Sequence, residues 1–109
     1  MEVTFDDSGL GKIFESDKEL RKKYGTVRAK KIQTRMTALR AAETLEDMRS
    51  LPGHCHELKG DLASQLAVDL DQPYRLLFRP KEEPDPGPGG GLDWRLVTAV
   101  VITTIVDYH

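Results

Sequence analysis

A chain of 109 residues has room for one domain. With 39% hydrophobic and 31% charged residues, it reads as a small globular protein, not a wholly disordered one. The net charge of −2 hides an asymmetry: residues 18–40 carry nine basic side chains and one acidic, whereas residues 81–93 carry one base and four acids.

The first predicted element is a short edge strand over residues 3–5, broken by Asp6, Asp7, Ser8 and the glycines at 9 and 11. Ser16 with Glu19 three residues on makes a capping box, which predicts a short helix over 17–24. Gly25 supplies a left-handed stop, and Thr26 can cap the next helix. That helix is the clearest in the chain. Ile32, Met36, Leu39, Ala42 and Leu45 recur every three to four residues as a buried stripe, and Arg28, Lys31 and Arg35 share another face. A frayed turn near Met48 precedes the Pro52-Gly53 stop.

Beyond Gly53 the period falls to two. A strand over 54–58 leads into a turn at Lys59-Gly60-Asp61, and residues 65–70 alternate strictly. After a bend at 71–73, a further strand covers 74–79. Residues 80–91 hold four prolines and four glycines, too many for regular structure, and form a flexible loop extending to 93 within the domain. Residues 94–106 are β-branched on both faces, as in a strand covered on both sides. Helices first and strands later predict an α+β fold, with two N-terminal helices packed on a small antiparallel sheet.

No stretch reaches the ~18 apolar residues of a membrane span. Glu2, Asp6 and Asp7 lie where a secretory signal needs positive charge, and the single cysteine, Cys55, suits a reducing compartment. We expect a cytoplasmic protein. One cysteine and three histidines do not make a four-residue zinc site without a carboxylate, and neither a metal nor another cofactor is expected.

Three groups of residues carry candidate chemistry. In the first, His54 and His56 share a strand face with two-residue spacing, which suits proton shuttling or a metal as well as two half-exposed structural histidines. Lys59, beside a glycine turn, can approach a phosphate or be an ordinary turn lysine, and Cys55 reads as core or as a bystander. In the second, Arg75 lies among apolar residues of its strand, with Arg79 on the same face. A guanidinium there needs a carboxylate such as Asp69 or Asp107, or a bound anion, for which its planar fork suits phosphate. The third is Asp107-Tyr108-His109. Tyr, His, Lys and Arg together suffice for metal-free RNA cleavage: a base deprotonates the ribose 2′-hydroxyl, a cation stabilises the phosphate, and an acid protonates the departing 5′-oxygen.

The segment Arg28-Ala-Lys-Lys-Ile32 resembles RelE/HigB-type toxins of bacterial type II toxin–antitoxin systems. The likeness extends through His56-Glu-Leu-Lys-Gly-Asp61, Gln65-Leu-Ala-Val-Asp-Leu70, Pro73-Tyr-Arg-Leu-Leu-Phe78 and Ile105-Val-Asp-Tyr-His109. A Pro/Gly-rich insert before Asp93-Trp94 is similar to the long "killer suppression" or plasmid-maintenance subgroup. The resemblance implies a ribosome-dependent, metal-independent endoribonuclease that cuts translated mRNA and arrests growth. It also implies a cognate antitoxin, commonly a helix-turn-helix protein. Carried over by position, Arg75 and Lys59 become phosphate stabilisers, Tyr108 or His109 the base or acid, and Asp107 the residue that orients a neighbour. Arg79, His54 and His56 join them in holding RNA, as do Arg28, Lys31 and Arg35 on the helix. The alternatives are a non-catalytic toxin-fold protein that binds an antitoxin or operator complex, and a gyrase poison on the same scaffold.

Overall fold

The computed structural model describes residues 1–107. Its strands are β1 (Glu2–Phe5), β2 (His56–Glu57), β3 (Leu66–Asp69), β4 (Tyr74–Pro80) and β5 (Ala99–Asp107), and its helices are α1 (Ser8–Glu15) and α2 (Asp17–Ala41). The strands form one sheet in the order β1-β5-β4-β3-β2, antiparallel except where β1 runs parallel to β5. This is the α+β arrangement the sequence predicts.

Helix α1 corrects the sequence reading, which took its two glycines as a break. Asp7 caps the helix by accepting a hydrogen bond from Gly9 N–H at 2.8 Å. Gly11 is needed for close approach, since a Cβ there would lie 3.2 Å from the Phe5 ring. Gly11 lets the helix lie against β1, and Phe5 meets Phe14 edge-on at 5.4 Å.

Helix α2 begins as its capping sequence predicts, with Ser16 Oγ accepting from Glu19 N–H at 3.2 Å. Gly25 interrupts it with φ 82° and ψ 165°, at the predicted stop. Asp17 and Gln33 are bonded through their side chains, whereas a straight helix would hold them about 24 Å apart. The break therefore turns the two arms back toward one another. The second arm buries Ile32, Met36 and Leu39, and Leu45 follows in a 3₁₀ turn over Leu45–Ser50.

The main core lies between the helices and one sheet face, where Leu66, Val68, Leu76, Phe78, Val100 and Ile102 pack. The other face carries a smaller cluster of Ala67, Leu77 and Leu58, with Leu62 and Val106 against it.

Two predicted strands are shortened. His54 takes φ 50°, a left-handed conformation that ends β2 before it reaches that residue. Trp94 belongs to a 3₁₀ turn over Trp94–Leu96, capped by Asp93, so the last strand starts only at Ala99. Between β4 and β5 the Pro/Gly segment makes a tight turn in which Gly87 N–H donates to Gly91 O at 2.8 Å.

Candidate functional site

Cross-strand partners lie on one face of a sheet, so the register assigns each site residue to a side. Asp69, Arg75 and Val106 are opposite one another on β3, β4 and β5, and the next row is His56, Ala67, Leu77 and Thr104. Ala67, Leu77 and Val106 belong to the smaller cluster, which puts Arg75 and His56 on the face away from the helices. Arg79, opposite Val101, shares that face. Pleat and strand spacing put Arg79 about 13 Å from Arg75 along β4, and His56 two strands away, about 10 Å across the sheet.

Arg75 is three-quarters buried, and its Nε lies 3.3 Å from Asp69 Oδ1. That oxygen is buried and accepts no hydrogen bond of good geometry among the described residues; the contact is an ion pair, not an aligned hydrogen bond. Asp69 is also fixed through its backbone. Its N–H donates to Gly53 O at 2.7 Å, and its O accepts from Arg35 Nε at 2.7 Å. Arg79 pairs with Asp6 at 3.0 Å, in a more exposed contact.

Lys59 is exposed and immediately precedes the 3₁₀ turn over Gly60–Leu62, where Gly60 has φ 67° as the predicted turn requires. Leu58, one residue earlier, seats in the smaller cluster, on the Arg75 side of the sheet. His54 and His56 are stacked, with ring centroids 4.5 Å apart and planes 22° apart. His56 Nδ1 lies 2.7 Å from His54 O. Among the described residues, no three His, Cys, Asp or Glu side chains gather as metal ligands would.

The remaining candidates separate. Asp107 pairs with Tyr74, one residue out of step with Arg75 and Val106. Alternation therefore puts Asp107 and Arg75 on opposite faces. Tyr108 and His109 lie outside the described residues. On α2, Arg28 is engaged within the molecule: its guanidinium contacts both Asp71 oxygens, at 3.1 and 3.2 Å, and lies 3.4 Å over the Tyr74 ring. Arg35 is buried on Asp69 O, as described above. Lys31 is exposed. The helical spacing of the three residues thus brings two of them down onto the sheet.

Cys55 packs against the main core. Burial pushes its thiol up to about 12, outweighing a smaller downward pull from Arg49. The thiol stays protonated in the fold as pH passes the ordinary 9.0, so the fold loses stability as pH climbs from there to about 12. Alkylation at pH 8 should leave native Cys55 unmodified and label it fully in denaturant, which mass spectrometry reads directly.

One contact that sequence reasoning missed lies behind β2. Trp94, 3% exposed, donates its indole N–H to Glu57 Oε2 at 3.1 Å. The Arg49 guanidinium covers its ring at 3.8 Å. A buried tryptophan needs an acceptor for that proton, which is the signal the sequence offered.

Among the described residues, no helix is long and apolar enough to cross a membrane. Comparison with curated proteins gave no match. A family model described as the RelE-like toxin of type II toxin–antitoxin system HigB matches residues 3–84. The match takes in α1, α2 and β1 to β4, with Lys59, Arg75 and Arg79, and stops short of β5. The chain belongs to the HigB-like toxin family, the RelE-like toxins of type II toxin–antitoxin systems.

Proposed function

We propose that this toxin is a ribosome-dependent mRNA endonuclease. The observation that carries the reading is Arg75: a mostly buried guanidinium, held at one edge by Asp69, on the sheet face opposite α1 and α2. Such a group is fixed in place before substrate arrives, and a phosphate gains most from a cation that need not reorganise. Lys59 supplies a second, more mobile positive charge, and His56 and Arg79 extend the RNA-binding face.

In the reaction, the ribose 2′-oxygen attacks the adjacent phosphorus as a base takes its proton. Charge builds on the non-bridging oxygens, which Arg75 and Lys59 stabilise. An acid protonates the 5′-oxygen as the P–O bond breaks, leaving a 2′,3′-cyclic phosphate and a 5′-hydroxyl. We assign the two proton transfers to Tyr108 and His109 on residue type and position. Asp107, on the other face at Arg75, is given no contact with the phosphate. The exposed lysines of α2 (Lys18, Lys22, Lys23, Lys30 and Lys31) suit a ribosomal RNA surface, where lysine adds salt-dependent affinity without base choice. The partner that silences the activity is a cognate antitoxin of the helix-turn-helix class.

The internal pairing of Arg28, Arg75 and Arg79 with Asp71, Asp69 and Asp6 favours a second reading, in which the fold only binds its antitoxin. Induced expression without an antitoxin separates the two. The nuclease reading predicts growth arrest with new 5′ ends on translated messages, and the binding reading predicts neither.

A further inference from the structure

The Pro/Gly-rich insert has no part in the reaction proposed above, yet its far end is anchored behind the site through Asp93 and Trp94. Asp93 caps the turn that follows, accepting from Arg95 N–H at 3.1 Å. Trp94 is buried there, between the Arg49 guanidinium and the core. Its indole N–H reaches Glu57. Glu57 is one of only two residues in β2, which lies at the edge of the sheet and is paired to β3 alone.

A two-residue edge strand is weakly held by its ladder. Its two side chains point to opposite faces. His56 faces the Arg75 side, Glu57 faces Trp94, and Lys59 follows within two residues. The Trp94–Glu57 hydrogen bond is thus a second attachment for the segment that presents His56 and Lys59, made from behind. Because it joins side chains 37 residues apart, it ties the end of the insert to the edge of the site.

We propose that Glu57 and Trp94 are positioning residues, which hold the β2 segment so that His56 stays on the Arg75 face and the turn carrying Lys59 stays at the edge of the site. The inference rests on the nuclease reading. Glu57 is an exposed residue outside both core clusters, so Glu57→Ala leaves the core packing intact, and Glu57→Gln keeps an oxygen to accept the indole proton.

The test uses the full chain on ribosomes translating a defined message, with amide exchange measured on the same proteins. Glu57→Ala is expected to lower kcat by about tenfold or more, with KM little changed, because misplacing a catalytic group by ~1 Å can cost a hundredfold. Amide exchange over residues 56–59 should speed up while the exchange of β4 stays as in the wild type. Glu57→Gln should restore both, and Trp94→Phe should reproduce Glu57→Ala.

Unchanged turnover per folded molecule in Glu57→Ala overturns the proposal, and so does a Glu57→Gln variant as impaired as the alanine one. If the wild-type chain cleaves nothing, the nuclease reading fails on its own. The exchange data then decide the tether: unaltered exchange over 56–59 in Glu57→Ala overturns it as well.

Discussion

Arg75→Ala is expected to have two separable effects, on the chemistry and on the fold. Removing a preorganised cation from a phosphate transition state should lower turnover by about 10²–10³-fold. The same change strands Asp69 Oδ1, which is buried and has Arg75 as its ion-pair partner. An uncompensated carboxylate is costly, though side chains about a fifth exposed are partly screened; we expect a loss of about 1–3 kcal/mol. Loss of growth arrest in Arg75→Ala alone would therefore be ambiguous. The double variant Asp69→Asn/Arg75→Ala removes the stranded charge. It should recover most of the lost stability in a urea melt and recover none of the cleavage. A double variant that regains cleavage would show that Arg75 acts only through the fold.

Gly53→Ala is expected to have the largest effect on stability of any single methyl added to this chain. Gly53 has φ +116°, and a Cβ there would lie 2.7 Å from Val68 Cγ2 and 2.9 Å from Arg35 Nε. The first contact is in the core. The second presses on the guanidinium that holds Asp69 O, and the Gly53 carbonyl itself accepts from Asp69 N–H. Backbone strain and overpacking each cost about 1–3 kcal/mol, so a combined loss of about 2–6 kcal/mol should lower Tm by roughly 8–26 °C. Because the disturbed groups position Asp69, turnover should also fall in the fraction that remains folded. A Tm within about 2 °C of the wild type, well inside that ~8 °C minimum, would contradict the packing described around Asp69.

Much of the fold was legible in the sequence, for identifiable reasons. The stripe Ile32, Met36 and Leu39 and the alternation of residues 65–70 are strong periodic signals with one physical outcome each. The Gly25 break followed from a residue that alone adopts φ 82° without strain. Helix α1 was hidden because Gly9 and Gly11 read locally as breakers. Gly11 serves close contact with Phe5, which no local pattern reveals. The parallel pairing of β1 with β5 joins the two ends of the chain, and neither strand announces the other.

The site was legible as a set of residue types and less so as an arrangement. Arg75 stood out because a cation in an apolar strand demands a partner, and Asp69 was one of the two carboxylates available to it. Asp107, the other, proved to be out of step in register. The spacing of Arg28, Lys31 and Arg35 was read correctly as one helix face, but spacing does not say whether a face looks outward. Arg28 and Arg35 bond inward because the β3–β4 bend carries Asp71 and the Asp69 carbonyl up to meet them. The Trp94–Glu57 contact spans the whole Pro/Gly insert, so no sequence period links its two residues.

The most direct test is the chemistry of the ends produced on a single message held on translating ribosomes and treated with the purified chain. Attack by the 2′-oxygen, with Arg75 on the phosphate, predicts fragments ending in a 2′,3′-cyclic phosphate and beginning with a 5′-hydroxyl, absent when the Asp69→Asn/Arg75→Ala protein is used. Messages left intact, or cleaved to 5′-phosphate ends, would contradict it.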